Sequence, residues 1–221
     1  MPEKKVREKF TKPGVEIWQE LRGESVYPVS AEEKSSYTSI SKTKTFAPPT
    51  SNAEYLFAHL MRNMESACIK ARRYSLAPNK IAVFLKKNDF NISGSEAKLT
   101  RPCALPLEFS GVIHDLFDDC YCPKDIYRAT GVVLLDLKPD DIIQYSLFDN
   151  PPQAEKIRDL YNVADELGQK FGKHTLHLGS SHPIDEMGKG RRGSPTIREQ
   201  TKLKGETRRH HLDLPLLHVK T

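Results

Sequence analysis

The sequence predicts an α+β domain in which four antiparallel strands form one layer and two helices the other, the ferredoxin-like split βαββαβ order. Three observations predict it. Between residues 37 and 137, stretches alternating every second residue follow stretches repeating at helical spacing, in the order strand, helix, strand, strand, helix, strand. Prolines at Pro48, Pro49, Pro78 and Pro102 fall between these stretches. The span is about 100 residues, enough for two packed layers with a core of their own.

The elements are justified in chain order. Val6 to Gly23 reads as a short helix with Ile17, Trp18 and Leu21 on one side, and Glu24 to Ser36 as a polar connector. Tyr37 to Phe46 alternates strictly and is rich in threonine, a strand that Ala47-Pro48-Pro49-Thr50 ends. Ser51 is the expected helix N-cap, with Glu54 completing a capping box. That helix runs to about Tyr74 with Leu56, Leu60, Met64, Ala67, Cys68 and Ala71 on its inner face. Lys80 to Lys87 reads as a buried strand, Asn88 to Ser93 as a turn, and Ser95 to Arg101 as a third strand. Leu107 to Asp119 is the second helix, with Phe109, Ile113, Leu116 and Phe117 inward, and Tyr127 to Leu137 the fourth strand. Beyond it, Ile142 to Phe148 sits in a proline-bounded linker. Gln153 to Phe171 is an amphipathic helix with Ile157, Leu160, Tyr161, Ala164 and Leu167 on one face, which Gly172 closes. Thr175 to Leu178 is a candidate short strand. The organisation is therefore residues 1–36, a helix and linker; 37–137, the sheet domain; 138–180, a linker peptide and helix; and 181–221, a basic tail expected to be disordered.

Composition limits the function classes. Apolar residues make up 38% and charged residues 29% of the 221, and no apolar run approaches the ~18 residues of a spanning helix. The N-terminus lacks the apolar stretch of a secretory signal, and four cysteines without such a signal predict reduced thiols in a cytoplasm. The net charge of +5 is unevenly distributed: residues 37–105 carry 11 basic and 4 acidic side chains, residues 106–171 carry 6 and 13. Such asymmetry suits one face turned to a polyanion.

The catalytic inventory is poor. Cys120-x-Cys122 lacks the spacing of a metal or redox pair, and His174-x-x-His177 and His210-His211 have no partner ligands at metal spacing. Asp118-Asp119 and Asp140-Asp141 are adjacent, and adjacent side chains diverge, so neither makes a two-metal clamp. No nucleophile-elbow or phosphate-loop motif is present. No catalytic or metal residue is expected.

Two stretches carry information. In Ser39-Ile40-Ser41-Lys42-Thr43-Lys44-Thr45-Phe46, a row of small hydroxyls faces one side and the lysines face the other. Ser39, Ser41, Thr43 and Thr45 would let a phosphate backbone approach closely, and Lys42, Lys44, Lys86, Lys98 and Arg101 would supply charge. The second stretch is Gln144-Tyr145-Ser146-Leu147-Phe148, an apolar pair in a polar linker, read as a short peptide that docks two side chains into a partner's pocket.

These residues carry a resemblance. SISKTKTF followed by APPTS and a long helix, then KIAVFLKK and YRATGVVLLDL, resembles the little-finger domain of Y-family translesion DNA polymerases, nearest to the bacterial polymerase IV and V (DinB/UmuC) type. KPGVEIWQELRGESVYPV is similar to the last thumb helix and linker, and QYSLF to the peptide that binds the bacterial sliding clamp, with Tyr145 where leucine is usual. The resemblance implies a module of DNA repair and the SOS response that grips primer–template duplex DNA and the clamp. It also implies that the palm, with its magnesium-binding carboxylates, is not in this chain, because Met1 falls within the apparent thumb; a separate palm–fingers chain is an implied partner. Pro183-Ile184-Asp185-Glu186 is similar to a catalytic motif of the family but lies at the wrong end of the chain. Three alternatives are a split half of an active polymerase, a clamp-interaction protein that competes for the clamp without binding DNA, and an RNA-binding module of the RRM type. The last would stack bases on Tyr37–Phe46 and Ser95–Arg101 as central strands, which offer only Tyr37 and Phe46 as aromatics.

Overall fold

A computed structural model describes residues 3–27, 37–140 and 151–184. The chain divides into two units, Met1–Ser35 and Ser36–Thr221.

In the first unit the expected single helix is two: α1 (Glu3–Lys9) and α2 (Lys12–Glu20). Pro13 explains the break. It cannot donate an amide in mid-helix but fits the first turn, where it stands after the N-cap Thr11. Val6 and Val15 are the buried residues of the two helices. Ile17 and Leu21, on the side expected to be apolar, are 57% and 82% exposed, and Arg22 stacks its guanidinium 4.5 Å from the Trp18 ring centre. Gly23, at φ 86°, supplies the left-handed turn that ends α2.

The second unit has the expected four-stranded antiparallel sheet with two helices on one face. Its strands are β1 (Ser39–Thr50), β2 (Leu76–Lys87), β3 (Ile92–Lys98) and β4 (Tyr127–Pro139), in spatial order β1-β4-β2-β3. The last strand lies between the first two, and every neighbour is antiparallel. Its Val132 and Leu134 are buried, as a central strand requires. Tyr37–Phe46 and Ser95–Arg101 therefore belong to the two edges, not to the centre. β1 also runs through Pro48 and Pro49 to Thr50 with a register shift, where a break is expected from the sequence; an edge strand tolerates proline because half its amides need no partner.

Helices α3 (Ala53–Arg73) and α4 (Pro106–Cys120) cover one face of the sheet. Alternation sends Ile40 and Phe46 of β1, Ile81, Val83 and Leu85 of β2 and Val132 and Leu134 of β4 against them. The inner face of α3 is the one expected: Leu56, Leu60, Met64, Ala67, Cys68 and Ala71 are all fully buried. Its N-cap is Asn52 rather than Ser51, with Oδ1 accepting from the Tyr55 amide at 2.8 Å. Asn63 ties the layers together by donating to the Thr130 carbonyl at 3.1 Å.

A second contact surface on α3 is polar. Arg72 donates twice to Asp165 of α5 (Pro151–Phe171), both at 2.7 Å, and once to the Ala104 carbonyl at 2.7 Å. Gly172 (φ 101°) closes α5, and the chain returns along α3. The Thr175–Leu178 segment is bent and irregular, not a strand, because His174 takes a left-handed conformation and Thr175 hydrogen-bonds back to Gly172. Buried Glu65 then accepts from the Leu178 amide at 2.5 Å and from the Ser181 hydroxyl, while Arg62 donates to the Ser181 carbonyl at 3.1 Å. Ser181 is completely buried. No described helix is long and apolar enough to cross a membrane.

Replacing Arg72 with alanine should strip Asp165 and the Ala104 carbonyl of a part-buried cation at once, at a cost of about 2–4 kcal/mol. Breaking the exposed Lys80–Glu96 pair (3.8 Å) should cost under about 1 kcal/mol. Urea unfolding of the two variants checks the contrast.

Candidate nucleic-acid interface

Among the described residues, the sheet's second face carries no helix. Strand register fixes its composition in four cross-strand rows, each running β1, β4, β2, β3. They are Ser39-Leu135-Lys80-Lys98, Ser41-Val133-Ala82-Glu96, Thr43-Gly131-Phe84-Gly94 and Thr45-Ala129-Lys86-Ile92. The β1 margin is thus a line of exposed hydroxyls, while the lysines are Lys80 and Lys86 on β2 and Lys98 on β3. Among these sixteen positions Glu96 is the single acid, and Lys80 stands 3.8 Å from it.

The middle of this face is flat for a steric reason. The Phe84 ring lies over the β4 backbone at Gly131: a methyl group there would stand 2.3 Å from Phe84 Cζ and 3.0 Å from Thr43 Oγ1. Glycine leaves room, and the aromatic ring fills the gap the missing side chain creates. At one end, Phe90 projects from the β2–β3 turn at φ 72°, with Arg128 4.2 Å and Lys86 5.0 Å from its ring centre. The Asn91 amide, donating to the Asp89 carboxylate at 3.0 Å, holds that turn and lowers the Asp89 pKa. Small hydroxyls, an apolar centre and nearby cations have the chemistry to meet a phosphate backbone, and none of them is arranged to read bases.

The structure divides the residues singled out from sequence. Ser39, Ser41, Thr43, Thr45, Lys86 and Lys98 share this open face. Lys42 and Lys44 lie on the opposite side of β1, toward the helices, because strand alternation separates them from the hydroxyls. Arg101 is held by Glu108 at 2.7 Å, tying the β3–α4 loop to α4. Gln144, Tyr145, Ser146, Leu147 and Phe148 lie outside the described residues. Lys80, Phe84 and Gly131 join the face without having been singled out. In the expected buried strand Lys80 to Lys87, Ile81, Val83 and Leu85 are buried, whereas Lys80, Ala82, Phe84 and Lys86 face outward. The alternation K-x-A-x-F-x-K is the signal that could have found them.

Three of the thiols lie in the core and His174 is engaged by polar neighbours. Cys68, Cys103 and Cys120 are buried, and burial pushes the Cys103 thiol up to about 12. His174 Nε2 is 2.9 Å from the Ser66 hydroxyl and its Nδ1 3.3 Å from Glu65. Among the described residues, no three His, Cys, Asp or Glu side chains gather as metal ligands.

Comparison with known proteins adds to this geometry. Residues 37–147 match the C-terminal domain of the impB/mucB/samB family. Among solved structures, the insertion ternary complex of Dbh DNA polymerase is similar at 14% identity and TM-score 0.39, over 61% of this chain and 38% of that one. A DinB family error-prone DNA polymerase from Sulfolobus solfataricus is similar at 15% identity and TM-score 0.39, over 61% and 39%. The little finger domain of PolIV, in a complex with the beta-clamp processivity factor, is similar at 18% identity and TM-score 0.36, over 50% of this chain and 99% of that one. The chain spans about two-fifths of the length of the two polymerases.

Substituting Gly131 by valine should drive the Phe84 ring off the β4 backbone and destabilise the domain by about 1–3 kcal/mol. The double variant Gly131→Val/Phe84→Ala should cost less than the sum of the two single changes, because both act on one contact. Thermal unfolding of the four proteins checks this coupling.

Proposed function

Because this chain belongs to the impB/mucB/samB family, we propose that its sheet domain is the duplex-gripping little finger of a translesion DNA polymerase of the bacterial polymerase IV/V type. The open face carries the proposal: a hydroxyl margin on β1, a centre where Phe84 covers Gly131, and lysines on β2 and β3, all on one surface. Ser39, Ser41, Thr43 and Thr45 would admit a phosphate backbone against β1, and Lys86 and Lys98 would neutralise phosphates from β2 and β3. Contact of this kind positions a duplex without choosing its sequence, which suits an enzyme that must follow damaged templates.

The Gln144–Phe148 peptide would dock on the bacterial sliding clamp, leaving the sheet free for DNA. On this reading the protein would act in lesion bypass, as part of the SOS response in the cytoplasm. Nucleotidyl transfer would belong to a palm and its magnesium ions, with a palm–fingers chain as partner.

Binding to a primer–template duplex, followed by fluorescence anisotropy, should weaken steeply with salt. Neutralising Lys86 and Lys98 together should lower the slope of log K against log salt by about 2, near 0.9 for each phosphate no longer neutralised. Binding without salt dependence would contradict the assignment. Leu147→Ala/Phe148→Ala should abolish clamp binding in surface plasmon resonance and leave DNA affinity within about twofold, because the sheet surface is untouched. Joint loss of both activities would contradict the two-site arrangement.

A further inference from the structure

We propose that a second, separate group of cations binds nucleic-acid phosphates: Lys42 on the helix side of β1, Lys70 and Arg73 at the C-terminal end of α3, and Lys173 just beyond α5. The inference rests on the DNA-gripping reading of the open face and extends the surface around the β1 edge.

Three observations carry it. Other cations of the domain are paired with carboxylates: Arg72 with Asp165, Arg101 with Glu108, Lys87 with Asp125 and Arg158 with Asp140. Lys42, Lys70, Arg73 and Lys173 have no such partner among the described residues, and they form one repulsive field. That field is felt at Lys42. Partial burial first, and then repulsion from Lys173, Lys70 and Arg73, lower its pKa. An anion placed among the four would relieve the repulsion.

Second, the nearby carboxylates are already engaged. Asp165 is held by Arg72 through two hydrogen bonds, and Glu65 is enclosed by Arg62, His174, Ser181 and the Leu178 amide. The groove of about 900 Å³ that Arg73 and Lys173 border is lined by those two neutralised acids and, among the described residues, by no other. Third, β1 is an edge strand, so the hydroxyl margin and the Lys42 side are separated by one strand only. Lys70 is fixed in place, with Nζ 4.2 Å from the Tyr37 ring centre. A nucleic-acid strand leaving the open face over β1 meets these cations next, which favours the single-stranded extension of a template over an acidic protein segment.

The test uses the full chain and a primer–template with a single-stranded template overhang, with anisotropy measured across a salt series. Lys70→Gln/Arg73→Gln/Lys173→Gln should lower the slope of log K against log salt by about 2, at roughly 0.7 per single-strand phosphate. The charge-preserving Lys70→Arg/Arg73→Lys/Lys173→Arg should keep the wild-type slope, and circular dichroism should show all three proteins equally folded. An unchanged slope in the neutralised variant, with wild type still binding in a salt-dependent manner, overturns this inference alone. Wild type that fails to bind at all overturns the open-face reading beneath it. Preferential binding of a poly-glutamate peptide, abolished in the neutralised variant while the DNA slope holds, assigns the cations to an acidic protein and overturns the proposal.

Discussion

The position of β4 between β1 and β2 is the constraint on which the remaining architecture depends. Its residues are registered with partners on either side, so its alternation decides what both neighbours present. Val132 and Leu134 turn toward the helices and align Ile40, Ile81 and Val83 with the core. Gly131 and Ala129 turn the other way and bring Thr43, Thr45, Phe84 and Lys86 together on the open face. A slip of one residue would bury the hydroxyl margin and expose the core, so the same packing that stabilises the domain sets the composition of its binding surface.

The helical layer answers to a different requirement. Helix α3 is buried on two sides, against the sheet through apolar residues and against the C-terminal segment through Arg62, Glu65, Ser66 and Arg72. Buried charges are tolerable only when each finds partners. Here the partners come from α5 and the turns after it, so the C-terminal segment completes the domain. The acids engaged in this docking no longer neutralise the cations at the end of α3, which links the packing of one surface to the charge of the next.

Much of this is legible in periodicity. The alternation of β1 separates Ser39, Ser41, Thr43 and Thr45 from Ile40 and Phe46, and the helical repeat of α3 identifies its inner face. Strand order is not legible, because pairing between β1 and β4 joins residues some ninety positions apart and leaves no local trace. For the same reason the Phe84–Gly131 contact is invisible in the sequence, and Lys80 hides in an apolar run whose alternate members face solvent. Two differences are local. Asn52, adjacent to the expected Ser51, caps α3, and Pro13 starts a new helix instead of lying inside a longer one.

The open face as the DNA surface is tested most directly by amide chemical-shift mapping of the isotopically labelled chain during titration with a primer–template duplex. The largest changes should fall on β1 from Ser39 to Thr45 and on the outward positions of β2 and β3 around Lys86 and Lys98. Changes confined to α4 and the outer surface of α5, with the open face silent, would contradict this assignment.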